Sequence, residues 1–284
     1  MLQSLFIVWR ESVEALLVIG ILYAWLRHRP DPARGLRMLW GGTALGLLLA
    51  CLLALLFMLA GEWLAGPAGE WFQAAMVFCA SLLILQMVVW MHRHGSGMKR
   101  SLESSAAQSM QQGGGWGLLL LAMLAVAREG SETVVFLYGI GAQQQGAGLG
   151  YFALGGALGF VLALLTFAVL QLSSRVMSWR RFFQVSEVVL LLLGGALLMA
   201  ALDRVAGQLM GMDVPEWVYG AFGDPLWDTS ALLSDGHGLG ATLAGFAGYR
   251  AAPSLAAVLA LALYWALAGF CCLRRERAPE VQPA

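Results

Sequence analysis

Charge is what this sequence has least of. Only 12% of its 284 residues are Asp, Glu, Lys or Arg, about half the roughly 25% of a soluble globular domain. Its 17 basic residues balance 17 acidic ones, so there is no basic excess to meet a phosphate backbone, and nucleic-acid binding is excluded. Asn is absent altogether, which excludes N-glycosylation. Cys51, Cys79, Cys271 and Cys272 lie in apolar runs without a C-x-x-C spacing, a pattern of small buried hydrophobes rather than of disulfides or thiolate ligands. No glycine-rich phosphate loop occurs, so ATP hydrolysis by this chain is not supported. None of the four His falls in the middle of an apolar run.

Apolar length is what the sequence has in excess. Crossing ~30 Å of hydrocarbon takes about 20 mostly apolar residues in a helix. Seven segments reach that length: roughly 2–26, 38–60, 71–92, 116–142, 148–172, 182–204 and 251–273. Their apolar residues are continuous rather than alternating, and lipid leaves helices as the way to satisfy the backbone. The first segment has no basic leader region and carries Arg10, Glu11 and Glu14, so it reads as a span and not as a signal peptide. Of the 17 basic residues, 13 fall in alternate connections and the tail. They are Arg27, Arg29, Arg34 and Arg37; Arg93, Lys99 and Arg100; Arg175, Arg180 and Arg181; and Arg274, Arg275 and Arg277. The positive-inside rule then sets the N-terminus outside and the C-terminus in the cytoplasm. Trp25, Trp40, Trp63, Trp71, Trp90, Trp116 and Trp179 near the span ends read as an aromatic belt. The expected fold is an all-α integral membrane protein of seven transmembrane helices, a single domain over 1–284 in the inner (plasma) membrane.

Short strings recur along the chain. Arg10-Glu11-Ser12-Val13-Glu14 in the first segment echoes Arg128-Glu129-Gly130-Ser131-Glu132 in the fourth. Ala44-Leu45-Gly46 echoes Ala157-Leu158-Gly159, and Trp71-Phe72-Gln73 echoes Phe182-Phe183-Gln184, at offsets of 118, 113 and 111 residues in the same order. This predicts two three-helix repeats, 1–92 and 116–204, then an acidic extracytoplasmic loop over 205–250 and a seventh helix over 251–273. An odd number of spans per repeat inverts one against the other, a transporter architecture that puts the substrate site at mid-depth between the halves. Gly41, Gly42, Gly46, Gly155, Gly156, Gly159, Gly194 and Gly195 are expected to allow close helix packing.

Arg10, Glu11, Glu14, Arg128, Glu129, Glu132 and Glu187 are ionisable residues inside apolar spans. Each costs roughly 2.5–3.5 kcal/mol at a helix centre, so together they must face one another or water. In R-E-x-x-E the two carboxylates are three residues apart and project from nearly the same helix face. Two such motifs meeting antiparallel at middle depth bring four carboxylates against two guanidiniums. That set wants a multivalent cation with hard oxygen ligands, such as iron, manganese, magnesium or calcium. Bridges that merely lock helices account for one Arg and one Glu per motif and leave the second Glu unexplained.

Glu187 breaks the pseudo-symmetry, since Met76 is its counterpart. It reads either as a proton or metal relay or as a protonated carboxyl in a helix contact. His28, His92 and His94, at the cytoplasmic ends of the first and third spans, read as interfacial groups rather than as exit ligands. Asp203, Asp213, Glu216, Asp224, Asp228, Asp235 and His237 make the loop before the last span acidic. Asp224, Asp228 and Asp235 are the candidate cation entrance.

Two intramembrane R-E-x-x-E motifs on the first and fourth of seven helices resemble the high-affinity iron permeases, both the fungal oxidase-coupled and the bacterial EfeU-type members. The resemblance runs over essentially the whole chain, including Ala125–Glu132, Trp227–Ser234 and Gly248–Ser254. It implies that Glu11, Glu14, Glu129 and Glu132 handle iron with Arg10 and Arg128 as motif partners. It further implies an extracytoplasmic protein that oxidises or delivers iron. Ser12 stands where the family usually has Gly, Gln73 where it often has Glu, and Leu243-Ala244-Gly245 lacks a Glu that members can carry. The expected function is an iron permease with no resident cofactor, iron being cargo, in contact with membrane lipid. A permease for manganese or lead, an intramembrane carboxylate enzyme and a non-transporting scaffold are the other readings.

Overall fold

Continuous apolar runs leave the backbone no partner but itself, and the chain answers with helices. The computed structural model describes residues 1–29, 32–64, 66–94, 98–113, 115–141, 144, 146–172, 179–212 and 214–273. Arg175, Asp213, Arg274, Arg275 and Arg277 lie outside these residues, as do the side chains of Arg93, His94, Lys99, Arg100, Trp179, Arg180, Arg181, Phe182, Phe183 and Cys272. Among the described residues there are helices and turns, with one isolated bridge between Pro225 and Ser254.

The helices are α1 (Leu2–Arg27), α2 (Pro32–Trp63), α3 (Pro67–His94), α4 (Met98–Gly113), α5 (Gly115–Gly141), α6 (Ala147–Leu172), α7 (Trp179–Met210), α8 (Glu216–Phe222), α9 (Gly238–Ala247) and α10 (Leu255–Leu273). Four stretches, 32–63, 67–92, 147–171 and 184–210, are long and apolar enough to cross a membrane by length and composition. α1 and α5 carry the charged motifs near their centres, and α10 is a shorter apolar helix.

Several boundaries differ from the sequence expectation, α2 starting at Pro32 and α3 at Pro67 rather than 38 and 71. α10 starts at Leu255 rather than 251, because Pro253 lacks an amide hydrogen and the Ser254 hydroxyl accepts the Ala257 N–H at 3.4 Å as its cap. α7 continues past 204 to Met210. The polar connection after the third segment is itself a helix, α4, because Leu102 and Ala106, four residues apart, seat one face against Leu118 of α5 and Leu26 of α1. The acidic 205–250 stretch likewise folds: Thr229 meets the Tyr249 hydroxyl at 2.9 Å, and Tyr249 donates to the Leu233 carbonyl at 2.9 Å.

α1 packs on α6, α2 on α5, α3 on α7, and α1 crosses α5. Missing side chains make the two closest packings possible. Gly42 and Gly46 of α2 stand on the Leu119 and Met123 carbonyls of α5, where a Cβ would collide with backbone. Gly155 and Gly159 of α6 stand the same way on the Met1 and Leu5 carbonyls of α1. The close packing expected of these four glycines is what the fold contains. Between α1, α3, α5 and α7 lies an apolar core of Ile7, Val77, Ile84, Phe136, Leu193 and their neighbours.

Candidate metal site

Helical periodicity puts Ile7, Arg10, Glu11 and Glu14 of α1 on the side that faces the bundle, and all four are buried. Arg10 is fully enclosed at 0% exposure. Its Nη1 lies 2.8 Å from Glu11 Oε1 and its Nη2 lies 2.5 Å from Glu14 Oε1, so one guanidinium holds both carboxylates of its motif. The same nitrogens donate to thioethers of α3, Met87 Sδ at 2.8 Å and Met91 Sδ at 3.6 Å. The first motif is thus fixed from behind.

The second motif is held differently. Arg128 Nε donates to Glu132 Oε1 at 3.0 Å, and its guanidinium lies 4.5 Å from the centre of the Trp90 ring on α3. Arg128 keeps 41% of its side chain exposed. Glu129, buried at 8% exposure, points toward the first motif instead.

The crossing of α1 and α5 then assembles the site. Carboxylate oxygens from Glu11, Glu14 and Glu129 lie within 4.8 Å of one another. Glu11 Oε2, Glu129 Oε2 and Glu132 Oε2 are buried without a hydrogen-bond partner among the described residues. Hard cations hold oxygens at ~2.0–2.6 Å, so oxygens on opposite sides of one ion stand about 4–5 Å apart. Like charges this close in a dry interior repel strongly, and a cation between them removes that repulsion. Glu132 belongs to the cluster through its spare oxygen and its Arg128 pair, one step outside the tightest trio.

Glu187 of α7 does not reach that trio. Its Oε2 lies 3.6 Å from His92 Nδ1 of α3, and it remains close enough to act electrostatically on Glu14 and Arg10. His28 makes a local contact instead, Nδ1 to the Ala24 carbonyl at 2.8 Å.

The three entrance candidates separate. Asp235 lines a cavity of about 240 Å³ with Gln3, Ile140, Ala196, Ala200 and Arg250. Asp224 and Asp228 are exposed and are not among the described residues lining it. Asp228 Oδ1 accepts the Ser230 N–H at 2.8 Å, and hydrogen bonds from Ser230 hold the Asp228 carboxyl below its usual range. Arg250 pairs with Asp203 at 2.7 Å, while Arg204 reaches Glu70 at 3.4 Å and Gln73 at 2.8 Å. Ile7 on α1 and Phe136 on α5, both fully buried, lie one turn from the cavity-lining Gln3 and Ile140, on the side of each helix's R-E-x-x-E motif.

Met87, Trp90, Met91 and His92 are what reading the motifs alone misses. They sit on the last turns of α3, where the sequence offers a Met-x-x-x-Met spacing and a Trp that reads equally well as a belt residue.

Relatives similar to the chain include the ferrous iron permease EfeU of Escherichia coli O157:H7 and that of Shigella sonnei, each 28% identical over 267 residues, covering 91% of this chain and 90% of theirs. EfeU of Yersinia pestis is 28% identical over 262 residues, covering 91% of this chain and 88% of its own length. No solved structure gives a significant match. The profile of the iron permease FTR1 family matches residues 1–274. A family of permeases rather than enzymes, matched across both buried motifs and the helices that carry them, leaves one assignment: the chain belongs to the iron permease FTR1 family.

Proposed function

We propose that the chain moves iron, in the ferrous form its relatives are named for, across the inner membrane into the cytoplasm, with Glu11, Glu14, Glu129 and Glu132 as ligands in transit. The observation that carries this reading is the trio of buried carboxylates from α1 and α5 within 4.8 Å of one another. Four carboxylates against Arg10 and Arg128 leave a formal charge near −2, which a divalent ion neutralises. The spare oxygens replace hydration water as the ion arrives. The guanidiniums keep the ion-free cluster from accumulating unpaired charge and compete for the carboxylates, so the ion is not trapped.

The seven spans, α1, α2, α3, α5, α6, α7 and α10, run with the N-terminus outside and the C-terminus in the cytoplasm. α1–α3 and α5–α7 form the inverted repeats (1–92 and 116–204), with the 205–250 loop outside and the seventh helix after it. The exchanged packing supports this. Gly42 and Gly46 on Leu119 and Met123 become, 113 residues on and 118 residues back, Gly155 and Gly159 on Met1 and Leu5. In this arrangement the Asp235 cavity is the outer vestibule, and Ile7 and Phe136 are the closed outer gate. The inward-negative potential supplies ~2.3 kcal/mol per charge per 100 mV. The acidic outer loop is the docking face for an iron-oxidising or iron-delivering protein.

Radio-iron uptake into a transport-deficient bacterial strain tests the reading, with wild type beside Glu129→Gln at matched membrane abundance. Uptake that disappears in the variant is the expected result. Equal uptake in both removes the carboxylate path. Folded, abundant wild type that takes up manganese or lead but no iron moves the assignment to that metal.

A further inference from the structure

His92 and Glu187 come from helices on which neither R-E-x-x-E motif lies, and α3 and α7 press them together. Glu187 is largely enclosed, with 14% of its side chain exposed, and His92 is half open at 46%. Their 3.6 Å separation is looser than an ordinary hydrogen bond at about 2.7–3.2 Å. It is ion-pair distance, and it is also a spacing that a bound metal ion fits. A transition ion holds imidazole nitrogen and carboxylate oxygen at about 2.0–2.2 Å each, and at an open tetrahedral angle two such donors stand about 3.5 Å apart.

Position matters as much as spacing. Met91, the residue before His92, touches Arg10, and Glu187 acts electrostatically on Glu14. The pair therefore adjoins the carboxylate cluster from the side of the α3 C-terminus, opposite the Ile7–Phe136 plug. Glu187 has no acidic counterpart in the first half of the chain, where Met76 stands. A purely structural pair has no need to differ between the halves, whereas a path with an outside and an inside does.

We propose that His92 and Glu187 form a second metal station, which receives the ion from the Glu14 side of the carboxylate cluster and releases it toward the cytoplasm. The inference rests on the permease reading for its direction of travel. Its chemical class follows from the donors: imidazole with one carboxylate favours divalent iron-like transition ions, whereas an all-oxygen site also suits magnesium or calcium.

The test counts metal and flux separately. The purified full chain in detergent is dialysed to equilibrium against Co(II) without oxygen, and bound metal is counted for wild type, His92→Ala, Glu187→Gln, His92→Asp and Glu129→Gln. Wild type is expected to hold two ions and His92→Ala or Glu187→Gln one, with His92→Asp, which restores a ligand, back to two. Glu129→Gln weakens the other ion and leaves the His92 ion in place. In uptake, His92→Ala is expected to lower the rate at saturating iron about tenfold with half-saturation unchanged, while Glu129→Gln abolishes transport. A His92→Ala protein that still binds two ions, or transports at the wild-type rate, overturns the station and leaves the permease reading standing. Absence of iron, manganese and lead uptake by wild type overturns the permease reading instead, and the ion count with and without His92 still decides whether the pair binds metal.

Discussion

The two R-E-x-x-E motifs are nearly the same five residues placed in two environments. In α1 the guanidinium is sealed at 0% exposure, grips both of its carboxylates and is backed by two thioethers. In α5 it is 41% exposed, grips Glu132 and, among the described residues, no other carboxylate, and rests on an indole, while Glu129 faces the other motif. The first Arg clamps both of its carboxylates, and the second leaves one of its pair facing the first motif, as the proposed transit ligand requires. Sequence identity between motifs therefore does not mean equal roles, because the neighbours set how many of its own carboxylates each Arg neutralises.

The sharpest way to break this comparison is to remove Glu129, which pairs with no guanidinium among the described residues. Glu129→Gln is expected to abolish iron uptake while its melting temperature in detergent stays level or rises, since like-charge repulsion with Glu11 and Glu14 is relieved. A large drop in melting temperature would place Glu129 in the scaffold instead. Next come the arginines. Arg10→Met strands two buried carboxylates, and unfolding titrations are expected to show a loss of about 3–5 kcal/mol. Arg128→Met, screened by its exposure, is expected to cost far less. Equal losses would erase the clamp-and-ligand distinction.

Helix packing offers the symmetric control. Gly46→Leu and Gly159→Leu each drive a side chain into a backbone carbonyl of the facing helix, and each is expected to destabilise by about 1–3 kcal/mol or more. Similar losses in the two melts show that the halves differ at the site and not in the frame. Smaller again is Trp90→Leu, which removes a cation–π contact worth about 0.5–2 kcal/mol. It is expected to change half-saturating iron a fewfold with little effect on the melt. The smallest effect is on the outer loop. Hydrogen bonds from Ser230 hold the Asp228 carboxyl low, so its contribution is full above the ordinary carboxylate range and lost as pH falls through the lowered folded value. Melts of wild type and Asp228→Ala should differ slightly at neutral pH and converge at the acid end.

The meeting of carboxylates from the two motifs was legible in the sequence. Charged groups in apolar spans are expected to meet, since each alone costs roughly 2.5–3.5 kcal/mol in hydrocarbon; Glu11, Glu14 and Glu129 do lie together, whereas Glu187 pairs with His92 instead. The helices were legible for the same reason of solvation. α4 was not, because Leu102 and Ala106 are too few to stand out in a polar stretch until α5 gives them something to cover. Nor was the link between His92 and Glu187, 95 residues apart in sequence.

The sequence by itself determined that charged motifs recur within apolar segments and that Gly42, Gly46, Gly155 and Gly159 open room for close helix contact. Periodicity and solvation act locally and are written residue by residue. Only the tertiary structure decided that α3, a helix without an R-E-x-x-E motif, backs both motifs, with Met87 and Met91 behind Arg10, Trp90 beneath Arg128 and His92 against Glu187. Which neighbour a thioether, indole or imidazole meets depends on how helices distant in the chain pack, and no local pattern encodes that.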